Sequence, residues 1–410
     1  MNVRNRQAQV GSVRAQRATV AGTVLLLMQL ANAAHAGPNE QAKRIYERIA
    51  GGPPSATELT TMANIITAGC GAAGCAPNSA GLAVLANAAQ TATAARGFYD
   101  VTLKNLVIPW TNRDQTVFAP LNDYAATVIG MVRDDVDFHT ALSADILYTF
   151  KTSGLPAPST ANNDHYANAE TQGANLLTDL KPGTQTGTYG FPPEAVAGLI
   201  TTRGAASAFF INGTNRAMFR FTMMNHLCHD MEQVMDTTRP SDRIRQDVAR
   251  SPGGDSRIFM NQCAGCHSGM DPMAQAFAYY NFDTTANQMV YTANQVQPKY
   301  FINATNFPFG FVTPDNSWSN RWRAGPNTYL GWDGSLPGSG VGAKSLGQEL
   351  ASSDMFAQCQ VQKVFQAVCF RAPNSSADMA TVTTIKQSFK ANGYKLKQVF
   401  QQTAAACAGS

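Results

Sequence analysis

The sequence predicts a mostly α-helical fold interrupted by one irregular, short-strand segment, and three observations predict it. Apolar residues recur at helical spacing over most of the 410 residues. Asn, Pro, Gly and aromatic residues crowd positions 290–345 instead. Between these two kinds of sequence, residues 263–267 read CAGCH.

The chain opens with Arg4, Arg6, Arg14 and Arg17 ahead of the apolar run TVAGTVLLLMQLA, followed by ANAAHA with small residues at Ala34 and Ala36. A basic stretch, a short apolar stretch and an A-x-A end define a signal peptide over residues 1–36. The competing reading is an uncleaved N-terminal anchor. The residue directly after Ala36 is Gly37 and not cysteine, so a lipoprotein is not expected. The leader places the protein in the periplasm of a bacterium or outside the cell. Taking its four arginines from the 31 Lys and Arg leaves 27, against 27 Asp and Glu. That balance shows no basic patch for nucleic acid, and no later stretch reads as a transmembrane segment.

Residues 37–205 form an N-terminal helical region. NEQAKRIYERIA (39–50) follows Gly-Pro and places Ile45, Tyr46 and Ile49 on one face. TELTTMANIITAG gives a second helix, and SAGLAVLANAAQTATAARGFYDVTLKNLVIPW one long helix stopped at Pro109. LNDYAATVIGMVRDDVDFHTALSADILYTF predicts two helices, SGLPAPSTANND and KPGTQTGTYGFPP loops, and PPEAVAGLITTR a helix opened by proline. Residues 206–295 hold the CAGCH stretch. They include one helix over 214–236, rich in Met and His, and a short polar helix in SDRIRQDVAR. Residues 296–345 form an irregular wrapping segment, and residues 346–410 three closing helices.

Eight cysteines are present. Setting aside the CAGCH pair leaves an even six, which in an exported chain reads as disulfides of open connectivity. Cys70 and Cys75 flank the small-residue loop GAAG, and Cys369 and Cys407 lie on segments able to pack as a hairpin. Cys228 and Cys359 are left by exclusion. Free buried thiols are the competing reading for each pair.

C-x-x-C-H is the attachment signature of a c-type haem. On a helical turn both thiols project from nearly one face and can each take a haem vinyl group, while His267 reaches the iron. Cys263, Cys266 and His267 therefore predict one covalently attached haem c, with His267 the proximal iron ligand. A structural zinc site would need four ligands, and a redox dithiol a βαβ setting. A plain disulfide leaves the histidine unexplained. The sixth ligand stays open among Met223, His226, His229, Met231 and Met289; for each methionine, filling the core is the bland alternative. Met270 and Met273 lie too near in sequence to cross to the far face. His139 and His165 read as structural. Arg321 and Arg323, in WSNRWR, read as partners of a haem propionate or as an ordinary clamp. No G-x-S-x-G, P-loop or H-E-x-x-H motif is present, so any redox chemistry belongs to the haem.

CAGCHSGMDPMAQAFAYYNFD resembles the C-x-x-C-H…(M/I)-D-P-(L/M)-(G/A)-x-(A/G)-x-x-x-F-D segment of a family of exported bacterial cytochrome-c-like proteins, abundant in planctomycetes and present in proteobacteria. AGLITTRGAASAFFINGTNRAMFRFTMMNHLC resembles the family's preceding segment. LGWDGSLPGSGVGAKSLGQELASSDMFAQCQVQKVFQAV resembles the family's segment after the haem motif, and KQSFKANGYKLKQVFQQ its C-terminal helices. The likeness covers residues 95–405, most specifically the haem segment. It implies haem attachment at Cys263 and Cys266 with His267 as ligand, and it favours a Cys228–Cys359 pair. It supplies no substrate. Met273-Ala274 replaces the family's Gly-Leu, and the Cys70/Cys75 loop has no counterpart.

The fold is thus expected to be a mostly α, multi-helix c-type haem protein with its irregular segment near the haem. The leading function is that of an exported monohaem cytochrome moving single electrons to or from a redox partner protein. The alternatives are a haem-dependent peroxidase or oxygenase acting on a small molecule, and a secreted binding or scaffold protein with a structural haem. The chain is far longer than the minimal domain of about 100 residues that holds one haem, which calls for a partner surface or a substrate pocket. Oligomeric state is not legible.

Overall fold

The computed structural model describes residues 36–303 and 305–408, so the leader assigned to residues 1–36 lies outside them except for Ala36. Helix α1 (Pro38–Ala50) starts with proline in its first turn and stops where Gly51 takes a left-handed conformation. Ala42, Ile45, Tyr46 and Ile49 share its buried face. Helix α2 (Ala56–Cys70) is opened by a reciprocal cap between Ser55 and Glu58, and α3 (Ser79–Thr93) by the Asn78 side chain accepting from Gly81 N–H. The Cys70–Cys75 disulfide closes the turn between them, and Gln41 both donates to and accepts from the Cys75 backbone.

The two ends of the described chain meet. The last helix, α12 (Leu396–Cys407), packs against α1 and α3 and against α10 (Asp354–Cys369). The Arg48 guanidinium donates to the Cys407 carbonyl at 2.7 Å. Cys369–Cys407 ties the ends of α10 and α12, and Cys228–Cys359 ties α10 to the middle of the chain, with Cα separations of 5.8 and 5.3 Å. All three pairings expected from the sequence are therefore present. Helices α9 (Gly342–Ala351) and α11 (Ser376–Ala391) complete the C-terminal set.

Between these ends lie α4 (Asp123–Arg133), α5 (Asp164–Thr171), α6 (Arg203–Phe209), α7 (Arg216–Thr222) and α8 (Ala264–Ala274). Three antiparallel pairs join them: β1 (Leu147–Phe150) with β2 (Leu180–Gly183), β3 (Tyr280–Asp283) with β4 (Gln288–Tyr291), and β5 (Ser317–Ser319) with β6 (Ser339–Val341). A continuous apolar core runs from Ala42 to Ala408. Among the described residues no helix is long and apolar enough to cross a membrane.

The chain is mostly helical with short strands, as expected, but several elements differ. The long helix expected from residue 79 ends at Thr93; a π turn (Phe98–Leu103) and a short helix replace its second half, and between them Gly97 lies so close to the Ala50 carbonyl that a Cβ there would clash. Residues 147–150, expected to be helical, form β1: Leu147 and Tyr148 are buried and the strand finds a partner in β2. Residues 193–201 make two single 3₁₀ turns rather than a helix. SDRIRQDVAR forms no helix; Arg245 there pairs as an isolated bridge with Phe311. The helix expected over 214–236 stops after a π turn, Met223–Leu227, where Cys228 adopts φ 56° at its disulfide. The first closing helix splits at Ser352–Ser353 into α9 and α10, the Ser353 side chain capping α10.

Candidate functional site

The CAGCH stretch is mounted on α8. Asp255 caps a short lead-in helix by accepting from Arg257 N–H at 2.8 Å. A π turn, Phe259–Cys263, follows and delivers Cys263 to the start of α8. Pro272 lacks the N–H that would bond the Ser268 carbonyl, and α8 ends two residues later. At about 100° per residue, Cys263, Cys266 and His267 fall on one side of α8 and Gly265 and Gly269 on the other. The glycines mark the packed side: a Cβ on Gly265 would run into Met235, and one on Gly269 into the buried Trp322. Cys263, Cys266 and His267 are each half-buried on the side away from the glycines.

The six other cysteines are paired, and Cys263 and Cys266 are both free thiols. The Cys266 thiol donates weakly to the Met231 carbonyl at 3.5 Å. Burial, then the negative charges of Glu232 and Asp230, push that thiol's pKa up. A raised thiol is the opposite of what a nucleophilic or redox-exchanging cysteine needs.

His267 is held from one side only. Its Nδ1 lies 3.1 Å from Asp271 Oδ1, one helical turn on. Asp271 is fully buried and caged. Arg216 donates to both its oxygens, at 2.6 and 2.8 Å, and Arg245 donates its backbone N–H at 3.2 Å. Arg216 is in turn clamped by Asp247 at 2.6 and 2.7 Å. The Arg245 side chain bonds Thr214 and lies over the Tyr300 ring, 4.8 Å from its centroid. Burial alone would raise the Asp271 carboxyl; the charges of Arg216 and Arg245 and the hydrogen bonds from Arg216 and His267 outweigh it and hold the group well below the usual carboxylate range. Among the described residues no hydrogen-bond partner reaches His267 Nε2, whereas Nδ1 has one in Asp271. Nor does any group of three or more His, Cys, Asp and Glu side chains among them stand ready for a metal ion. The chemistry on offer is two thiols and one imidazole on an open helix face, which is the donor set a covalently held haem uses.

The sixth-ligand candidates scatter. Met231 lies in a capped turn (Met231–Val234) packed on α8, joined to it through its carbonyl. Met223 is buried in the π turn, and Met289 is buried in β4 opposite Phe282. The His229 Nδ1 bonds the Leu227 carbonyl at 2.7 Å and its ring sits beside Tyr329. His226 points into the helical interior. Its Nε2 is 2.7 Å from the Tyr124 hydroxyl, and Trp110 and Phe356 flank the ring. Burial, then the charge of Lys363, lowers the His226 pKa to about 3. Beside it lies a small cavity of about 10 Å³, lined by Tyr124, Leu199, Phe209 and Met218 among others.

The remaining sequence candidates have structural partners. His165 accepts from Phe150 N–H and lies 2.7 Å from the Pro156 carbonyl, and His139 meets Ser352. Arg321 is paired with Asp242, and Arg323 binds Glu349 through two hydrogen bonds, so both act as clamps. Sequence reasoning missed the cage. Asp271 was findable, since it follows His267 by four residues on a helix; Arg216, Arg245 and Asp247 carry no local signal linking them to it. Comparison with protein-family models, curated proteins and solved structures returns no match.

Proposed function

We propose that this chain is an exported c-type cytochrome that carries single electrons on one haem, bound through Cys263 and Cys266 and ligated by His267. The observation that carries this reading is the combination on α8: two unpaired thiols beside an imidazole whose Nδ1 is engaged by Asp271. When bound, the haem supplies one-electron ferric–ferrous chemistry. The chain's part is to hold the macrocycle at two points, present one nitrogen to the metal and leave an edge near solvent, where a partner protein can approach. The three disulfides support an oxidising compartment, which agrees with the leader and with the export that haem attachment requires.

A second reading, an oxidoreductase with an accessible iron, draws support from the scattered sixth-ligand candidates. An absorption spectrum of the reduced protein, produced with haem c maturation and recorded with and without carbon monoxide, separates the two. A sharp low-spin spectrum that carbon monoxide leaves unmoved is the expected result for a carrier. A band that moves with carbon monoxide puts the enzyme first.

A further inference from the structure

We propose that Asp271 is the positioning residue for His267: it fixes which imidazole nitrogen faces a metal and lowers the reduction potential of a haem held there. The inference rests on the haem reading above. Its geometric basis does not.

An ionised carboxylate has no hydrogen to give and can only accept. Asp271 meets Arg216 through two short hydrogen bonds and a third from the Arg245 backbone, contacts that suit a carboxylate and not a carboxylic acid. The proton in its contact with His267 therefore sits on Nδ1, which leaves Nε2 as the nitrogen able to offer a lone pair to a metal. The pairing is held firmly. His267 and Asp271 are four apart on one helix, the Asp271 side chain has no exposed surface, and Arg216 cannot swing away because Asp247 grips its far edge. A carboxylate behind a ligating imidazole makes the ring more basic and fixes its orientation. A more electron-rich ligand favours the ferric over the ferrous state, which means a lower potential. Asp247 provides an internal control, because it carries the same charge in the same cage and has no hydrogen bond to His267.

The test compares wild-type protein, D271N and D247N, each produced with haem c maturation. Haem that survives acid–acetone extraction is measured first, then reduction potential. D271N is expected to shift the ferric–ferrous equilibrium at least tenfold towards ferrous, about 59 mV upward for one electron, and D247N less than threefold. Haem retained in D271N with an unmoved potential, or an equal shift in D247N, overturns the role given to Asp271 and leaves the cytochrome reading standing. Absence of haem from the wild-type protein overturns both. If D271N fails to accumulate, proton NMR of the reduced wild-type protein decides: a His267 Nδ1 proton slow to exchange is expected, and an unprotected Nδ1 contradicts the proposal.

Discussion

The interior around His226 and the open face around His267 treat the same side chain in opposite ways. His226 is sealed among Tyr124, Trp110 and Phe356, with its Nε2 spent on a tyrosine and its Nδ1 buried without a partner. His267 sits half-buried on a helix beside two thiols, with Nδ1 spent on a caged carboxylate. The first arrangement expels a proton from a packed core. The second leaves a nitrogen available to a metal. Residue type nominated both histidines; which nitrogen is occupied, and by what, separates them.

The largest expected effect breaks the open face itself. Replacing both Cys263 and Cys266 with alanine removes all haem that resists acid–acetone extraction, while the far-ultraviolet circular dichroism stays helical, because both side chains are only half-buried and alanine favours the helix. Haem attached in that double variant would contradict the role of the face.

Next comes the cage behind it. Arg216→Met leaves Asp271 and Asp247 buried without their main cation and is expected to cost about 3–5 kcal/mol, read as a lower urea midpoint. A loss under about 1 kcal/mol would mean that water reaches the carboxylates.

The sealed interior responds to pH. An exposed histidine in the unfolded chain takes its proton near pH 6.5, whereas His226 in the fold does so only at about 3. Between those values the unfolded chain binds more protons. Stability is therefore fully present above about pH 6.5 and falls as the pH drops towards 3, by at most about 1.4 kcal/mol per unit. Urea midpoints measured from about pH 7 to 5 should fall less steeply in His226→Gln than in the wild type; equal slopes would count against a sealed imidazole. The smallest effect is expected for Tyr124→Phe, about 1 kcal/mol by the same assay, since it removes one buried hydrogen bond.

How much of this was legible depends on how local each signal is. The Gly-Pro start and the spacing of Ile45, Tyr46 and Ile49 announced the first helix directly, and the C-x-x-C-H spacing announced the thiol–imidazole face. Cys70 and Cys75 could be paired from five residues of sequence. Failures came where distant contacts decide. β1 reads as helix until β2 is there to pair with it, and the Met-rich stretch reads as one helix until Cys228 is drawn to Cys359. The methionines and histidines of that stretch looked like a ligand set; broken at Cys228, it sends His226 into the core and Met231 towards α8. The cage of Arg216, Asp247 and Arg245 around Asp271 is closed by contacts between residues 26 to 55 apart in the chain and has no periodic signature.

Whether CAGCH holds a haem is decided by the intact mass of the protein made with haem c maturation. The chain is expected to be heavier by one haem, with the added mass surviving denaturation and mapping to the peptide that contains Cys263 and Cys266. A chain of bare mass, with those two cysteines recovered as free thiols or as a disulfide, would contradict it.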